Sequence, residues 1–180
     1  MTRYAGRRAV IVGQATGIGL AVAKRLVEGG ADVLLTAVTV REREHAGAEL
    51  GSAARVVAPD AVESVLGSAG GVDLVFADAV PTARPLLPHL ADGGAVVLTA
   101  PAPSLAAVRL LAAELVPRGI RVNAVAPSCI EAPAGSAEPL PPLGRFGSAE
   151  EVARAALFLA TDATFTTGAR LPVDGGLGHP

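Results

Sequence analysis

The chain has 180 residues, of which 51% are hydrophobic and 3% aromatic, and its formal net charge is −2. A chain of this length most simply folds as one domain over residues 1–180, with a core built mainly from alanine, valine and leucine. Positive and negative side chains are interspersed, which excludes the basic surface typical of nucleic-acid binding. Every long uncharged stretch meets a proline or glycine before about 18 apolar residues are reached, so no membrane span is predicted.

The N-terminus and the cysteine content predict a cytoplasmic protein. Basic residues near the start are followed by only a strand-sized apolar run, which is too short for a signal peptide. The single cysteine, Cys129, excludes an internal disulfide and fits a reducing compartment. No metal site is predicted.

A glycine-rich turn follows the first strand-like run. Residues 13–19 read GQATGIG, directly after the apolar run 8–12 and before a helix-like segment. Glycine permits a tight turn and lets a diphosphate approach bare backbone, while the N-terminus of the following helix directs unpaired N–H groups at the anion. The turn predicts nucleotide binding, with retention for the fold alone as the alternative. The predicted contacts are Gly13, Gln14, Thr16, Gly17, Ile18 and Gly19.

Strand-like and helix-like segments alternate along the whole chain. Strands are predicted at 10–12, 33–35, 55–58, 72–76, 95–99, 121–126 and 170–173. Helices are predicted at 21–28, 41–50, 61–69, 105–116 and 149–160. This alternation predicts an α/β fold, a doubly wound Rossmann-like parallel sheet of about seven strands with helices on both faces.

Motifs in the C-terminal half make the assignment more specific. Residues 118–127 read RGIRVNAVAP and residues 143–153 read LGRFGSAEEVA, and the sequence VDGG follows at 173–176. In this combination the chain resembles the short-chain dehydrogenase/reductase family nearly end to end. The resemblance implies a nicotinamide cofactor, NADP or NAD, at the glycine turn, and it adds Ala79, at the end of the fourth strand, to the predicted contacts.

The chain departs from that family around strands four and five. The family's catalytic Tyr-x-x-x-Lys motif has no counterpart, because the only tyrosine is Tyr4 and the only lysine is Lys24. Asp78 stands where the family has asparagine, and only residues 81–94 remain where a long helix is usual. Residues 100–104 then lead almost directly into the next helix. The resemblance therefore implies a truncated and divergent member, with the sheet shortened around these two strands.

Four residues are candidates for catalysis in the remodelled crevice. Asp78 would face the ligand crevice as a proton-transferring carboxylate, or would simply hydrogen-bond backbone. His89 titrates near neutral pH, with a plain surface position as the alternative. Thr99 and Ser104 lie near the place of the family's catalytic serine, and Ser104 also fits an N-cap of the following helix.

Three functions follow from these departures. The favoured one is a non-redox small-molecule enzyme, such as a cyclase, isomerase, dehydratase or lyase, in which a cofactor is not required. The alternatives are a catalytically inactive binding or partner subunit and an atypical NAD(P)-dependent oxidoreductase. Arg41 and Arg43 follow the second strand, where an arginine accepts a 2′-phosphate, and they favour NADP over NAD.

The resemblance also implies an assembly. Residues 149–176 resemble the region through which family members pair about a two-fold axis, which predicts a homodimer through the C-terminal helix and strand. A tetramer is the alternative, because its second interface relies partly on the helix that is shortened after the fourth strand. The specificity loop, 128–143, contains no recognisable code for a substrate.

Overall fold

The computed structural model describes residues 3–13, 15–67, 71–99, 103–131 and 139–178. Its centre is a sheet of seven parallel strands in the order β3-β2-β1-β4-β5-β6-β7. The strands are β1 Arg8–Val12, β2 Asp32–Thr36, β3 Ala54–Val57, β4 Val72–Ala77, β5 Leu90–Leu98, β6 Arg121–Pro127 and β7 Arg170–Val173. The strand order reverses between β1 and β4, and such sheets bind ligands at the carboxyl ends of the strands beside this switch point. The predicted doubly wound fold is confirmed.

Helices cover both faces of the sheet. They are α1 Gly17–Glu28, α2 Val40–Leu50, α3 Val62–Gly67, α4 Val80–Ala83, α5 Leu105–Leu115 and α6 Ala149–Leu157. The chain continues from α6 into a π-helical turn, Phe158–Asp162. Short 3-10 segments lie at Gly51–Ala53, Pro59–Ala61, Arg84–His89 and Val116–Arg118.

The core consists of two apolar layers, one on each face of the sheet. Ile11 and Phe76 belong to the layer that contains side chains of α1 and α6. Val10 and Val75 belong to the other layer, together with Leu111 of α5. Adjacent residues of a strand point to opposite faces, so strands buried on both faces read as nearly continuous apolar runs. This is why β1 and β4 were recognisable from the sequence.

Strand β5 begins earlier than the sequence predicts. The predicted strand covers 95–99, whereas β5 covers Leu90–Leu98 and its pairing with β4 is irregular between Val72 and Leu74. Gly94 makes this close approach possible, because a Cβ there would lie 2.8 Å from the Asp73 carbonyl oxygen. Glycine is depleted in strands, so the glycine-containing start of β5 has no strand pattern.

The connector between β4 and β5 crosses from the carboxyl edge of the sheet to its amino edge. It consists of the single turn α4 and the 3-10 segment Arg84–His89, and it contains Pro81, Pro85 and Pro88. The buried side chains of Leu86 and Leu87 hold it against the sheet. A parallel crossover needs about a dozen residues, so this connector is close to the shortest that closes the topology.

Candidate active site at the carboxyl edge of the sheet

The turn between β1 and α1 has a conformation that requires glycine. Gly13 has a φ of +125° and Gly17 a φ of +53°. The Gly13 N–H donates to Thr36 Oγ1 over 3.2 Å, which joins the carboxyl ends of β1 and β2. A Cβ on Gly17 would meet no described atom within 4 Å. None of the described residues therefore fills the space beside Gly17.

The other predicted contacts of this turn have different surroundings. Thr16 is the exposed N-cap of α1 and makes no side-chain capping hydrogen bond with the described residues. Gly19 lies in the first turn of α1, and Ile18 is half-buried against the core. Gln14 lies outside the described residues. The first N–H groups of α1 are thus not capped by Thr16, and they point out from the carboxyl edge of the sheet.

The Asp78 side chain lies directly against the glycine turn. A Cβ on Gly13 would be 3.1 Å from Asp78 Cβ and 3.4 Å from Asp78 Oδ2. The hydroxyl of Thr82, one helical turn later, donates to Asp78 Oδ1. Ala79 is the N-cap residue of α4. Asp78 is exposed, so a ligand at the end of β4 has access to its carboxylate.

A cleft of about 620 Å³ opens beside Asp78. It lies between the carboxyl ends of β1 and β2 and the connector that begins with α4, and Asp60 and Glu63 also line it. Its volume is typical of small-molecule sites. The cleft is on the β2–β3 side of the switch point, where the adenosine half of a dinucleotide binds in such folds. The sequence reasoning missed Asp60, although Asp60 follows β3 much as Asp78 follows β4.

The segment after β2, residues 37–43, uses its free backbone groups in hydrogen bonds to its own side chains, and we call it the closed Glu42 segment. Thr39 is the N-cap of α2, and its Oγ1 accepts from the Glu42 N–H over 3.1 Å. Glu42 Oε2 in turn accepts from the N–H groups of Val38 and Thr39 over 3.0 and 3.1 Å. Arg43 folds back and donates to two backbone carbonyl oxygens after β2 over 3.4 and 3.5 Å. Arg41 is exposed and makes no hydrogen bond or ion pair with the described part of the chain.

Thr99 and Ser104 both hydrogen-bond to backbone near β5. Thr99 donates from N and Oγ1 to the Ala77 carbonyl oxygen over 2.8 and 3.3 Å, which continues the β4–β5 pairing next to Asp78. Ser104 is the N-cap of α5, and its Oγ accepts from the Ala107 N–H over 3.4 Å. The favoured prediction for Ser104, an N-cap of the following helix, is confirmed. The Thr99 hydroxyl thus lies at the end of β4, next to Asp78.

His89 lies at the opposite edge of the sheet from Asp78. It ends the 3-10 segment before β5, and the next residue, Leu90, pairs with Val72 at the start of β4. Asp78 follows Ala77 at the other end of the same strand. The length of β4, at about 3.3 Å per residue, separates the two edges by roughly 17 Å. The structure therefore does not bring His89 into the cleft.

The single tyrosine and the single lysine are both engaged away from the cleft. Tyr4 is buried, and its N–H donates to the Gly29 carbonyl oxygen over 2.7 Å. Its ring fills the space that a Cβ on Gly29 would need, at the C-terminus of α1 and hence at the amino edge of the sheet. Lys24 forms an ion pair with Glu49, which joins α1 to α2.

A second cleft, of about 440 Å³, lies beyond β6 and β7. The loop after β6 turns at Glu131, with a φ of +48°, and Glu131 Oε1 accepts from the Ala149 N–H at the start of α6. Arg145 donates to the two carboxylate oxygens of Glu151 over 2.7 and 2.9 Å. These hydrogen bonds, with one from the Ser148 N–H, lower the pKa of Glu151 to about 2. These contacts hold Glu131 and Arg145 against the start of α6.

Metal-binding clusters and membrane-spanning helices are both absent from the part of the chain that the structure describes. No three His, Cys, Asp or Glu side chains there form a group that could hold a metal ion. None of its helices has the length and apolar character needed to cross a membrane. The candidate site consists of the glycine turn, Asp78 and the cleft beside them.

Two family models match the chain on either side of the connector. Residues 7–76 match the model described as short chain dehydrogenase, and residues 91–178 match the one described as Enoyl-(Acyl carrier protein) reductase. The oxidoreductase asL5 of Sarocladium schorii is 32% identical over 242 aligned positions, which cover 97% of each chain. The chain belongs to the short-chain dehydrogenase/reductase family.

Other members of the short-chain dehydrogenase/reductase family match over the same extent. The 3-oxoacyl-[acyl-carrier-protein] reductase FabG of Salmonella typhimurium is 30% identical over 97% of this chain and 98% of its own. The L-xylulose reductase of Bos taurus is 29% identical over 97% of each chain. Among solved structures, a short-chain type dehydrogenase/reductase from Mycobacterium marinum is 26% identical, with a TM-score of 0.83 over 99% of this chain and 98% of its own.

These relatives correct the functional prediction. The sequence reasoning favoured a non-redox enzyme, and this prediction is wrong, because the relatives that match along the whole chain are reductases and an oxidoreductase. None of these relatives supports the alternative of an inactive subunit. The altered segments around β4 and β5 leave the seven-stranded sheet and the glycine turn in place, so these segments alone do not indicate a change of reaction. Only residues 77–90, the connector with Asp78, lie between the two matched regions.

Proposed function

We propose that this short-chain dehydrogenase/reductase is a nicotinamide-dependent oxidoreductase that acts on a small molecule with a carbonyl or hydroxyl group. The observation that carries the proposal is the turn of Gly13 and Gly17 at the switch point of the sheet, with a cleft next to it and no described residue in the space beside Gly17. The similarity to a 3-oxoacyl-[acyl-carrier-protein] reductase and an L-xylulose reductase supports carbonyl reduction or its reverse.

The residues at the carboxyl edge fit a dinucleotide. The positive φ angles of Gly13 and Gly17 keep bare backbone at the surface of the turn, and the first N–H groups of α1 can donate to a diphosphate. The cleft of about 620 Å³ has room for the adenosine half. Asp78, beside Gly13, can accept from a ribose hydroxyl. When bound, the nicotinamide supplies or accepts the hydride, so the protein itself only binds, orients and handles the proton.

The proton that accompanies the hydride needs a source other than the Tyr-x-x-x-Lys pair. Tyr4 is buried at the amino edge and Lys24 is paired with Glu49, so neither reaches a substrate at the carboxyl edge. A local truncation is supported by the asL5 alignment, which spans 242 positions against 180 residues here, a difference of at least 62. We propose that a water molecule at this exposed edge would supply the proton to the substrate oxygen, and that a proton from bulk solvent would neutralise the hydroxide that is left. The Thr99 hydroxyl would orient the substrate oxygen by turning its O–H from the Ala77 carbonyl oxygen to the substrate.

We also propose that the protein is a cytoplasmic homodimer. The position of β7 at the edge of the sheet and the exposure of Phe158, directly after α6, support pairing through the C-terminal helix and strand. The free thiol of Cys129 supports a reducing compartment. Sedimentation of the purified protein separates a dimer from a monomer and from a tetramer.

Cofactor binding and turnover test the proposed activity. The purified protein is titrated calorimetrically with NADH and NADPH, and the absorbance of the reduced nicotinamide is followed with ketoses, 3-oxoacyl thioesters and simple ketones. We expect dissociation constants of about 1–100 μM for at least one dinucleotide and consumption of the reduced form with at least one carbonyl class. If no nicotinamide dinucleotide binds, the proposal fails.

A further inference from the structure

The backbone N–H groups after β2 are already occupied by a carboxylate of the protein. The second strand of a dinucleotide-binding sheet ends beside the adenosine ribose, and its 2′-phosphate in NADP is held there by N–H groups and arginine side chains. Here Glu42 Oε2 accepts from the N–H groups of both Val38 and Thr39, over 3.0 and 3.1 Å. Glu42 itself is fixed by the hydrogen bond from its own N–H to Thr39 Oγ1.

The arginines nearby do not compensate for this negative charge. The Arg43 guanidinium is turned towards two backbone carbonyl oxygens at the end of β2, over 3.4 and 3.5 Å. Its half-buried side chain therefore contributes to closing the segment. Arg41 is the nearby arginine left without a partner in the described part of the chain, and it is fully on the surface of α2.

The cleft itself adds negative charge. Asp60, Glu63 and Asp78 line it, and none of its lining residues, all in the described part of the chain, is a lysine or an arginine. A 2′-phosphate carries a charge between −1 and −2 near neutral pH, and like charges across a partly desolvated cleft repel one another. A ribose 2′-hydroxyl has no charge and can donate to a carboxylate oxygen.

We infer that the closed Glu42 segment and the three carboxylates of the cleft make this protein selective for NAD(H) over NADP(H). This inference rests on the proposed nicotinamide binding, and it reverses the preference expected from Arg41 and Arg43 in the sequence. Glu42 is the specificity-determining residue: it occupies the place of a bound phosphate and leaves a carboxylate oxygen to accept from the 2′-hydroxyl. The selectivity thus comes from the first turn of α2 instead of from an acidic residue at the end of β2.

Binding of the two reduced cofactors to the full chain tests the inference. We expect NADH to bind at least about tenfold more tightly than NADPH in calorimetric or fluorescence titrations at constant salt. Glu42→Gln keeps the size of the side chain and a capping oxygen but removes the charge. We expect this variant to lower the ratio of the NADPH to the NADH dissociation constant about tenfold, mainly because NADPH binds more tightly. Glu44→Gln, an exposed position on the same helix, is the matched control and should leave the ratio unchanged.

An independent variant keeps the test valid if the change at Glu42 disturbs the α2 cap. Asp60 lies in the 3-10 turn after β3, outside α2. We expect Asp60→Asn to lower the ratio of the NADPH to the NADH dissociation constant about threefold. Equal binding of the two cofactors to the unaltered protein, or tighter NADPH binding, overturns the inference alone. The same holds if Glu44→Gln shifts the ratio as much as Glu42→Gln. Failure of both cofactors to bind overturns the proposed function and the inference together.

Discussion

The Asp78 side chain occupies the space into which a side chain on Gly13 would project. Their closeness, 3.1 Å from a Cβ on Gly13 to Asp78 Cβ, joins the end of β4 to the turn after β1. A diphosphate bound on the turn would therefore lie near a carboxylate as well as near the N–H groups of α1. The carboxylate and the glycine that it packs against come from residues 65 positions apart in the sequence, 78 and 13.

Asp78→Asn should tighten dinucleotide binding. The amide keeps the shape of the side chain and an acceptor for the Thr82 hydroxyl, while it removes a negative charge beside the diphosphate. We expect the dissociation constant of NADH to fall about fourfold, the effect of one charge at about 5 Å in a water-like dielectric. That of NADPH should fall further, because its 2′-phosphate would also be repelled by the carboxylates of the cleft. Asp32→Asn, an exposed carboxylate at the amino edge, serves as the control and should change neither constant. Weaker binding of both cofactors to Asp78→Asn would contradict this picture.

Gly17→Ala should weaken cofactor binding without unfolding the protein. Gly17 and Gly51 both have positive φ, +53° and +62°, and a Cβ at either position would meet no described atom within 4 Å. Both alanine variants should lose about 1–2 kcal/mol of unfolding free energy through backbone strain. Only Gly17→Ala places a methyl group where the dinucleotide would approach. The dissociation constant of the dinucleotide from this variant should rise about tenfold or more.

Chemical denaturation and calorimetric titration of the two variants give the comparison. Gly51 ends α2, away from the turn, so its alanine variant should bind cofactor as the unaltered protein does. Equal loss of binding in both variants would mean that strain, not the contact at Gly17, controls binding.

The ion pair of Arg145 and Glu151 should make stability depend on pH in the acid range. Hydrogen bonds from Arg145 lower the pKa of Glu151 from 4.5 to about 2 in the folded protein. A depressed carboxylate pKa stabilises the fold above the unfolded value of about 4.5, and this contribution disappears as the pH falls towards 2. Glu151→Gln should therefore lower the melting temperature at neutral pH, and the difference from the unaltered protein should shrink below about pH 4.

Thermal unfolding between neutral pH and about pH 3 measures this dependence. Glu44→Gln is a suitable reference, because Glu44 is exposed and lies on another helix. A difference between Glu151→Gln and the unaltered protein that stays constant down to the lowest pH would contradict the assigned role of the pair.

Arg121→Met should destabilise the fold through the π-helical turn after α6. The Arg121 guanidinium donates to the carbonyl oxygens of Leu159 and Ala163 over 2.6 and 3.1 Å, and also to that of Ala160. Burial lowers the pKa of Arg121. Removal of these donors leaves three carbonyl groups unpaired, and we expect a loss of about 2 kcal/mol in urea unfolding. Arg154→Met, an exposed arginine of α6, should cost less than about 0.5 kcal/mol.

The fold was predictable because its strands are strongly patterned. The strands β1 and β4 are buried on both faces and read as apolar runs, and each has a turn signal or a polar residue at its carboxyl end. The largest boundary difference, the start of β5, arises from long-range pairing of Leu90 with Val72, which no local pattern records.

The site was predictable only in part. The glycine turn and Asp78 could be placed, since the carboxyl ends of neighbouring parallel strands meet at one edge. His89 was predicted in the same crevice as Asp78 because imidazole titrates near neutral pH, but the connector that carries His89 crosses the full height of the sheet. The closed Glu42 segment does carry a sequence signal, the capping box Thr39-x-x-Glu42, which was overlooked beside the more familiar arginines.

The connector that walls the cleft has a further consequence for recognition. Three prolines, Pro81, Pro85 and Pro88, restrict its backbone, and two buried leucines anchor it. A wall of this kind is ordered before any ligand binds, so the protein loses little conformational entropy when a molecule that fits the cleft binds. It also cannot be remodelled around a molecule that does not fit. The cleft should therefore have narrow ligand specificity, and its affinity for the cofactor should fall sharply when the adenosine half is altered.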